Sequence, residues 1–121
     1  MRGVVNARNE AVMRLRVRGP SHIELTVDAV VDSGFSASLT LPAAEIATLG
    51  LEYRSRSGAV LADGSLRRFG IYAAEVEWHG FWCPVLISEV GEETRLGMRL
   101  LAGNVLRIEV APGGAVEIIP L

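Results

Sequence analysis

The chain has 121 residues and a formal net charge of −2, and half of its residues are hydrophobic. This length suits one domain with a real core, and the slightly acidic balance gives no general attraction to nucleic acid or to an anionic membrane. All twelve basic residues are arginines, so lysine Schiff-base chemistry, a lysine general base and a Walker-type phosphate loop are excluded.

Cysteine usage and the first residues indicate a compartment. The single cysteine, Cys83, cannot form an intramolecular disulfide, which is typical of a reducing environment. The first eight residues lack the apolar run of a signal peptide, and no stretch approaches the ~20 apolar residues that span a bilayer. We expect a cytoplasmic protein with one domain, residues 1–121, and no membrane or nucleic-acid partner.

The first predicted elements form a hairpin. Apolar and polar residues alternate from Glu10 to Arg18, as in a half-buried strand, with Val12 out of phase or at a bulge. A turn at 19–21 and renewed alternation over 23–27 lead into Val30 and Val31. Asp32 is therefore expected at a strand end.

One helix is predicted from Pro42 to Leu49, because proline suits the first helical turn and Gly50 supplies a stop. Short strands are predicted at about 51–56, 59–62, 66–78 and 81–88, then a helical turn at 98–102, then strands at 105–111 and 115–119. Turns are predicted between them at Ser57-Gly58, Asp63-Gly64, His79-Gly80 and Pro112-Gly113-Gly114. This pattern predicts an all-β fold, a mostly antiparallel barrel or sandwich with one or two short helices.

The aspartates limit the possible acid chemistry. Only Asp28, Asp32 and Asp63 occur, and peptide hydrolysis by carboxylates needs two acids beside one water. Asp28 and Asp32 lie on an extended segment about 13 Å apart, too far to share a proton. Asp63 precedes a glycine between two strand-like runs, which is typical of a turn. A second acid for Asp32 therefore requires a second chain.

Other constellations have simpler interpretations. Asp32-Ser33-Gly34 is also an ordinary turn after a strand, with no chemistry. The row of Arg14, Arg16 and Arg18 is more typical of a solvated strand face than of a phosphate-binding surface. His22, His79 and Cys83 lack any zinc spacing, so neither a metal nor a cofactor is expected.

Three landmarks in order carry a family resemblance. They are Asp32-Ser33-Gly34, the segment Leu61-Ala62-Asp63-Gly64-Ser65, and Leu96-Gly97 followed by Met98-Arg99-Leu100-Leu101. Over nearly its whole length the chain resembles the retropepsin-like (clan AA) aspartic proteases, in the small bacterial or archaeal form.

The resemblance implies a small closed barrel, one lobe per chain, that forms a homodimer through the catalytic loops and terminal strands. Two Asp32 carboxylates, one per chain, would share a proton and activate a water, without metal or cofactor. Ser33 would bond across the interface, and Gly34 would permit an unusual backbone conformation and close approach. Leu96 and Gly97 would support the catalytic loop. A flap containing Leu61, Ala62, Asp63 and Gly64 would hold an extended peptide or protein substrate.

The sequence departs from the family pattern in two places. Arg95 stands where the family usually has a hydrophobic residue before Leu96-Gly97, and no aromatic residue adjoins Asp63-Gly64. The resemblance implies an enzyme, a homodimeric aspartic endopeptidase. The alternative, which Arg95 favours, is a non-catalytic dimeric barrel that only binds peptides.

Overall fold

The computed structural model describes all of residues 1–121, and strands dominate it. The strands are β1 (Arg2–Val5), β2 (Ala11–Arg18), β3 (Glu24–Val31), β4 (Leu39–Thr40), β5 (Glu52–Val60), β6 (Leu66–Trp78), β7 (Phe81–Ser88), β8 (Arg95–Leu96), β9 (Asn104–Ile108) and β10 (Ala115–Pro120). The helices are α1 (Ala43–Leu49) and α2 (Met98–Leu101). Neither helix has the length and apolar character needed to cross a bilayer.

Six strands close into a barrel. Their order is β6-β7-β4-β8-β3-β2, and β2 returns to pair with β6 through Val17 with Val76 and Arg18 with Glu75. All pairings are antiparallel except β3 with β8 and β4 with β7. The predicted all-β class and small closed barrel are therefore confirmed.

The remaining strands extend this barrel at two edges. β5 pairs only with β6, through β6 residues 66–73, and the two strands and the turn between them form a long hairpin. We call residues 52–70 of this hairpin the flap hairpin. On the other side, β1 pairs with β2 and with β10, and β10 pairs with β9. The two terminal strands thus pair with each other within one chain, which leaves β5 and β9 as the free edges of the sheet.

The core follows from the period-two pattern of the strands. Ala11, Met13, Leu15 and Val17 of β2 are all buried, while the arginines between them face outward. α1 packs Ile46 and Leu49 into the core, and it ends at Gly50, whose left-handed backbone (φ 61°) is a conformation that glycine adopts easily.

The arginine row on β2 is neutralised by neighbouring strands. Its contacts are Arg14 with Asp28, Arg16 with Glu24 and Glu77, and Arg18 with Glu75. The Arg16 and Arg18 guanidiniums also lie 5.2 and 4.2 Å from the Trp82 ring centre. The three arginines therefore form ion pairs and ring contacts on the outer surface of the barrel, as expected of a solvated strand face.

Two predicted details of the strands are wrong, and one open alternative is resolved. Ser57-Gly58 is not a turn: both residues pair with β6, because its 13 residues offer an uninterrupted row of partners to one continuous β5. Of the two alternatives for Val12, the structure shows the first: it is out of phase and not at a bulge, because it pairs in regular register with Val30 and faces outward. The strand predicted at 105–111 ends at Ile108.

The two faces of β10 allow a direct test of this core. Ile118 is fully buried, whereas the adjacent Ile119 is 45% exposed. We expect Ile118→Ala to lower the free energy of unfolding by about 2–5 kcal/mol, because it leaves a cavity in the core. Ile119→Ala should lower it by less than about 1 kcal/mol. Urea unfolding of both variants gives these values, and equal losses would contradict the assigned faces.

Candidate active site

Asp32 is fixed by the strands on which its loop rests. β3 ends at Val31 and runs parallel to β8, with Val31 opposite Leu96. The Asp32 backbone N–H continues this ladder by donating to the Leu96 carbonyl at 2.9 Å. Asp32 is therefore the first residue after the strand, as the sequence predicts, and it begins the loop of residues 32–38, which we call the Asp32 loop.

The Asp32 carboxylate has two partners within the chain. Its Oδ1 accepts the Gly34 backbone N–H at 2.9 Å, and its Oδ2 accepts Arg95 Nη1 at 3.2 Å. The other Arg95 nitrogen, Nη2, donates to Glu93 at 2.6 Å. The Asp32 side chain is 31% exposed and borders a hollow of about 410 Å³ whose lining includes Phe35 and Val90. The carboxylate is thus oriented by the backbone yet open to solvent.

The segment 96–99 holds the rest of the Asp32 loop. The backbone N–H groups of Gly97, Met98 and Arg99 donate to loop carbonyls at 2.8, 2.8 and 3.2 Å, those of Ser38, Phe35 and Ala37 respectively. Gly97 has no room for a side chain, because a Cβ there would collide with the Ala37 carbonyl oxygen and the Phe35 ring. The predicted support residues Leu96 and Gly97 therefore do contact the loop.

Arg95 and Leu96 face opposite sides of β8. Leu96 is fully buried in the core, and Arg95 is directed to the solvent side, where it reaches Asp32. Arg95, which stands where the family usually has a hydrophobic residue, therefore contacts the Asp32 carboxylate, and Leu96 alone supplies the apolar packing of β8.

Thr40 is a site residue that the sequence analysis missed. Its buried hydroxyl donates to the Glu93 carbonyl at 3.0 Å and accepts the Arg95 backbone N–H at 2.8 Å. These two bonds tie β4 to the segment that carries Arg95. A polar residue between Leu39 and Leu41, which are both fully buried, was the signal available in the sequence.

For Gly34 the structure differs from the expected backbone conformation, and for Ser33 it shows only that the side chain is exposed. Gly34 does not have the unusual backbone conformation that we expected, since its φ lies outside the left-handed region and a Cβ there would meet only Asp32 Oδ1, at 3.3 Å. Its backbone N–H, and not its missing side chain, is what contributes within the chain. Ser33 is exposed, and its bond across an interface stays a prediction.

The predicted flap residues form the tip of the flap hairpin. Leu61 and Ser65 close the turn with a 2.8 Å backbone bond, and Gly64 adopts a φ of 83°. Asp63 Oδ1 accepts both the Ser65 hydroxyl and the Ser65 backbone N–H, which lowers the pKa of the Asp63 carboxyl. All side-chain hydrogen bonds of Asp63 thus lie within its own turn, as expected of a turn former; Ala62 beside it is exposed.

The structure groups no three His, Cys, Asp or Glu side chains in a way that could hold a metal ion. His79 instead bonds to Asn104 at 2.7 Å, and His22 lies exposed in the turn before β3. The expectation that no cofactor is needed stays a prediction.

Comparison with solved structures identifies the fold. The chain is similar to the EIAV protease, a retroviral enzyme, in a structure described as a complex with the inhibitor HBY-793. The two share 15% sequence identity and align with a TM-score of 0.56 over 79% of this chain and 88% of the viral one. No family model and no curated protein matches the sequence. The fold is therefore retropepsin-like, and the narrower bacterial or archaeal form stays a prediction.

The contact between Gly97 and the Asp32 loop can be tested with two alanines. We expect Gly97→Ala to lower the free energy of unfolding by about 2 kcal/mol or more, because the new methyl group overlaps backbone atoms that cannot move freely. Gly34→Ala meets only one side-chain oxygen and should change the value by less than about 1 kcal/mol. The measurement is chemical denaturation; a neutral Gly97→Ala would refute the close approach.

Proposed function

We propose that the chain is one half of a homodimeric aspartic endopeptidase in which two Asp32 carboxylates, one from each chain, activate a water. The observation that carries this proposal is the presentation of Asp32: a backbone-oriented, partly exposed carboxylate at the end of a barrel strand, on a retropepsin-like fold. Asp32 is the one aspartate in the hollow of a single chain. Glu92 and Glu93 also line it, but Glu92 is exposed and Glu93 is held by Arg95, so we take the second acid from a second copy.

The proposed dyad has a simple physical basis. Two carboxylates about 3 Å apart do not both ionise readily, so they share one proton, as the paired aspartates of aspartic proteases do. The ionised Asp32 takes a proton from the water as it attacks the peptide carbonyl, and the protonated Asp32 of the second chain donates to the carbonyl oxygen. The first Asp32 then gives the proton it took from the water to the amine nitrogen as the C–N bond breaks, and the second Asp32 takes a proton from a hydroxyl of the tetrahedral intermediate, which restores the starting state of the pair.

The Arg95 ion pair is compatible with this mechanism only if it can exchange. The Arg95 and Asp32 side chains are 42% and 31% exposed, and such a pair contributes at most about 1 kcal/mol. Each Asp32 oxygen has one donor within the chain, the Gly34 N–H on Oδ1 and Arg95 on Oδ2, so a second carboxylate that approaches Oδ2 would have to displace Arg95. Dimer formation would therefore replace the weak Arg95–Asp32 ion pair with the contact between the two Asp32 carboxylates.

Substrate binding follows from the flap hairpin. An extended peptide offers backbone groups on two sides and side chains that alternate in direction. The turn at 61–65 would cover it, and the exposed Leu61 and Leu66 side chains would contact it. Leu61, Ala62, Asp63 and Gly64 are thus proposed as substrate-binding residues, with Ser33, Gly34, Leu96 and Gly97 as positioning residues.

The second candidate is a dimeric barrel that binds peptides without cleaving them. The observation that favours it is the Arg95 contact, because Arg95 Nη1 occupies, at 3.2 Å, the Asp32 oxygen that a second carboxylate would approach.

Replacing Asp32 separates these two functions. Asp32→Asn keeps the shape of the side chain but cannot transfer the proton, so we expect cleavage of a diverse peptide library to fall by at least about 100-fold while the dimer persists. Asp28→Asn is the matched control, because Asp28 lies four residues earlier on β3 and faces Arg14. Equal cleavage by wild type and Asp32→Asn would contradict the protease.

Mixing wild type with Asp32→Asn tests the need for two acids. If active sites form only between two wild-type chains, an equal mixture at fixed total concentration should retain about one quarter of the wild-type activity after subunit exchange. Activity that stays at one half, in proportion to the wild-type chain, would instead place all the chemistry within one chain.

Arg95→Gln tests the exchange at the carboxylate. Glutamine keeps a polar side chain, shorter than that of arginine, and removes the charge that competes with the second Asp32, so we expect higher peptidase activity than wild type at equal dimer concentration. Glu92→Gln, at the exposed border of the same hollow, is the control for a general effect of charge. Lower activity in Arg95→Gln would mean that Arg95 positions the dyad and does not compete with it.

A further inference from the structure

Charge is distributed unevenly between the flap hairpin and the rest of the chain. Residues 52–70 contain four arginines and two carboxylates, whereas the rest contains eight arginines and twelve carboxylates. The flap hairpin is therefore a basic element on an otherwise acidic protein.

The arginines also differ in their pairing. Seven of the twelve lie within 4 Å of a carboxylate: Arg2, Arg14, Arg16, Arg18, Arg54, Arg95 and Arg107. The other five, which have no such partner, are Arg8, Arg56, Arg67, Arg68 and Arg99. Three of these five lie on the flap hairpin, so its positive charge is largely uncompensated.

Two of the unpaired arginines meet at one hollow. Arg56 and Arg99 line a hollow of about 320 Å³ between β5, β7 and the Asp32 loop. Five serines also line it, and none of its lining residues is a carboxylate. Arg56 further borders an adjoining hollow of about 310 Å³ together with Arg68. Guanidinium and hydroxyl donors with no acid among the lining residues form a setting suited to a carboxylate ligand.

The position of this hollow relates it to the candidate active site. Ser36, on its wall, follows Asp32 by four residues, a separation of at most about 13 Å. A peptide bond placed at Asp32 would thus bring a side chain two to four residues away to the hollow.

We propose that this hollow is a subsite for an acidic side chain, and hence that the substrates are peptides with Asp or Glu near the cleaved bond. This inference rests on the proposed peptidase function for its substrate role. A short acidic peptide fits the observations better than a nucleic acid, because a long polyanion would also meet the acidic remainder of the surface, consistent with the sequence pI of about 5.7.

Cleavage profiling tests the substrate preference. We expect products of wild type from a diverse peptide library to show Asp or Glu enriched at one position two to four residues from the cleaved bond. The double variant Arg56→Gln and Arg99→Gln should lose this enrichment. Arg8→Gln should keep it, because Arg8 is equally unpaired but lies in the turn after β1. Cleavage without acid enrichment would overturn the subsite and leave the peptidase intact.

A binding measurement remains informative if no cleavage is observed. Fluorescence anisotropy with Asp32→Asn protein compares a labelled peptide of alternating Glu and Val with its Gln and Val counterpart. We expect the Glu peptide to bind at least about fivefold more tightly, and the Arg56→Gln and Arg99→Gln changes to abolish the difference. Equal binding of the two peptides, or tighter binding of a single-stranded RNA oligonucleotide of the same charge, would overturn the proposal.

Discussion

The backbone hydrogen bonds between residues 96–99 and the Asp32 loop are the interaction on which the rest of the site depends. Four N–H groups, one from Asp32 and three from Gly97 to Arg99, cross between these two segments. They exist because β3, β4 and β8 meet at this point and because Gly97 has no side chain to separate the two backbones. The direction of the carboxylate, the reach of Arg95 and the wall of the basic hollow all follow from this contact.

Much of this fold can be predicted from local sequence. Period-two alternation identified β2 and β3 with their buried faces, and proline with glycine marked both ends of α1. The errors arise where pairing outweighs local preference: Ser57 and Gly58 are turn formers by type, yet they lie in the middle of β5 because β6 offers them partners. Long-range register is not encoded in a short window of residues.

Only part of the candidate site could be predicted, because only some of its features depend on local sequence. Asp32 at a strand end follows from its own neighbours, whereas the contact of Gly97 with the loop was expected only from the family resemblance that the three landmarks carry. The Arg95 ion pair and the bridging hydroxyl of Thr40 depend instead on which faces of β4 and β8 meet Asp32. Only the assembled barrel supplies that information, because the two residues are separated by more than fifty positions in the chain.

The pairing of β1 with β10 inside one chain separates folding from assembly. Closure of the barrel through β2 and β6 and occupation of both edges of β1 mean that the core is not divided between two molecules. Under the proposed mechanism, a diluted chain would keep its fold and lose only its second acid. Catalytic output would then rise with the square of the chain's concentration at low abundance, so that the amount of protein in the cell would itself act as the switch.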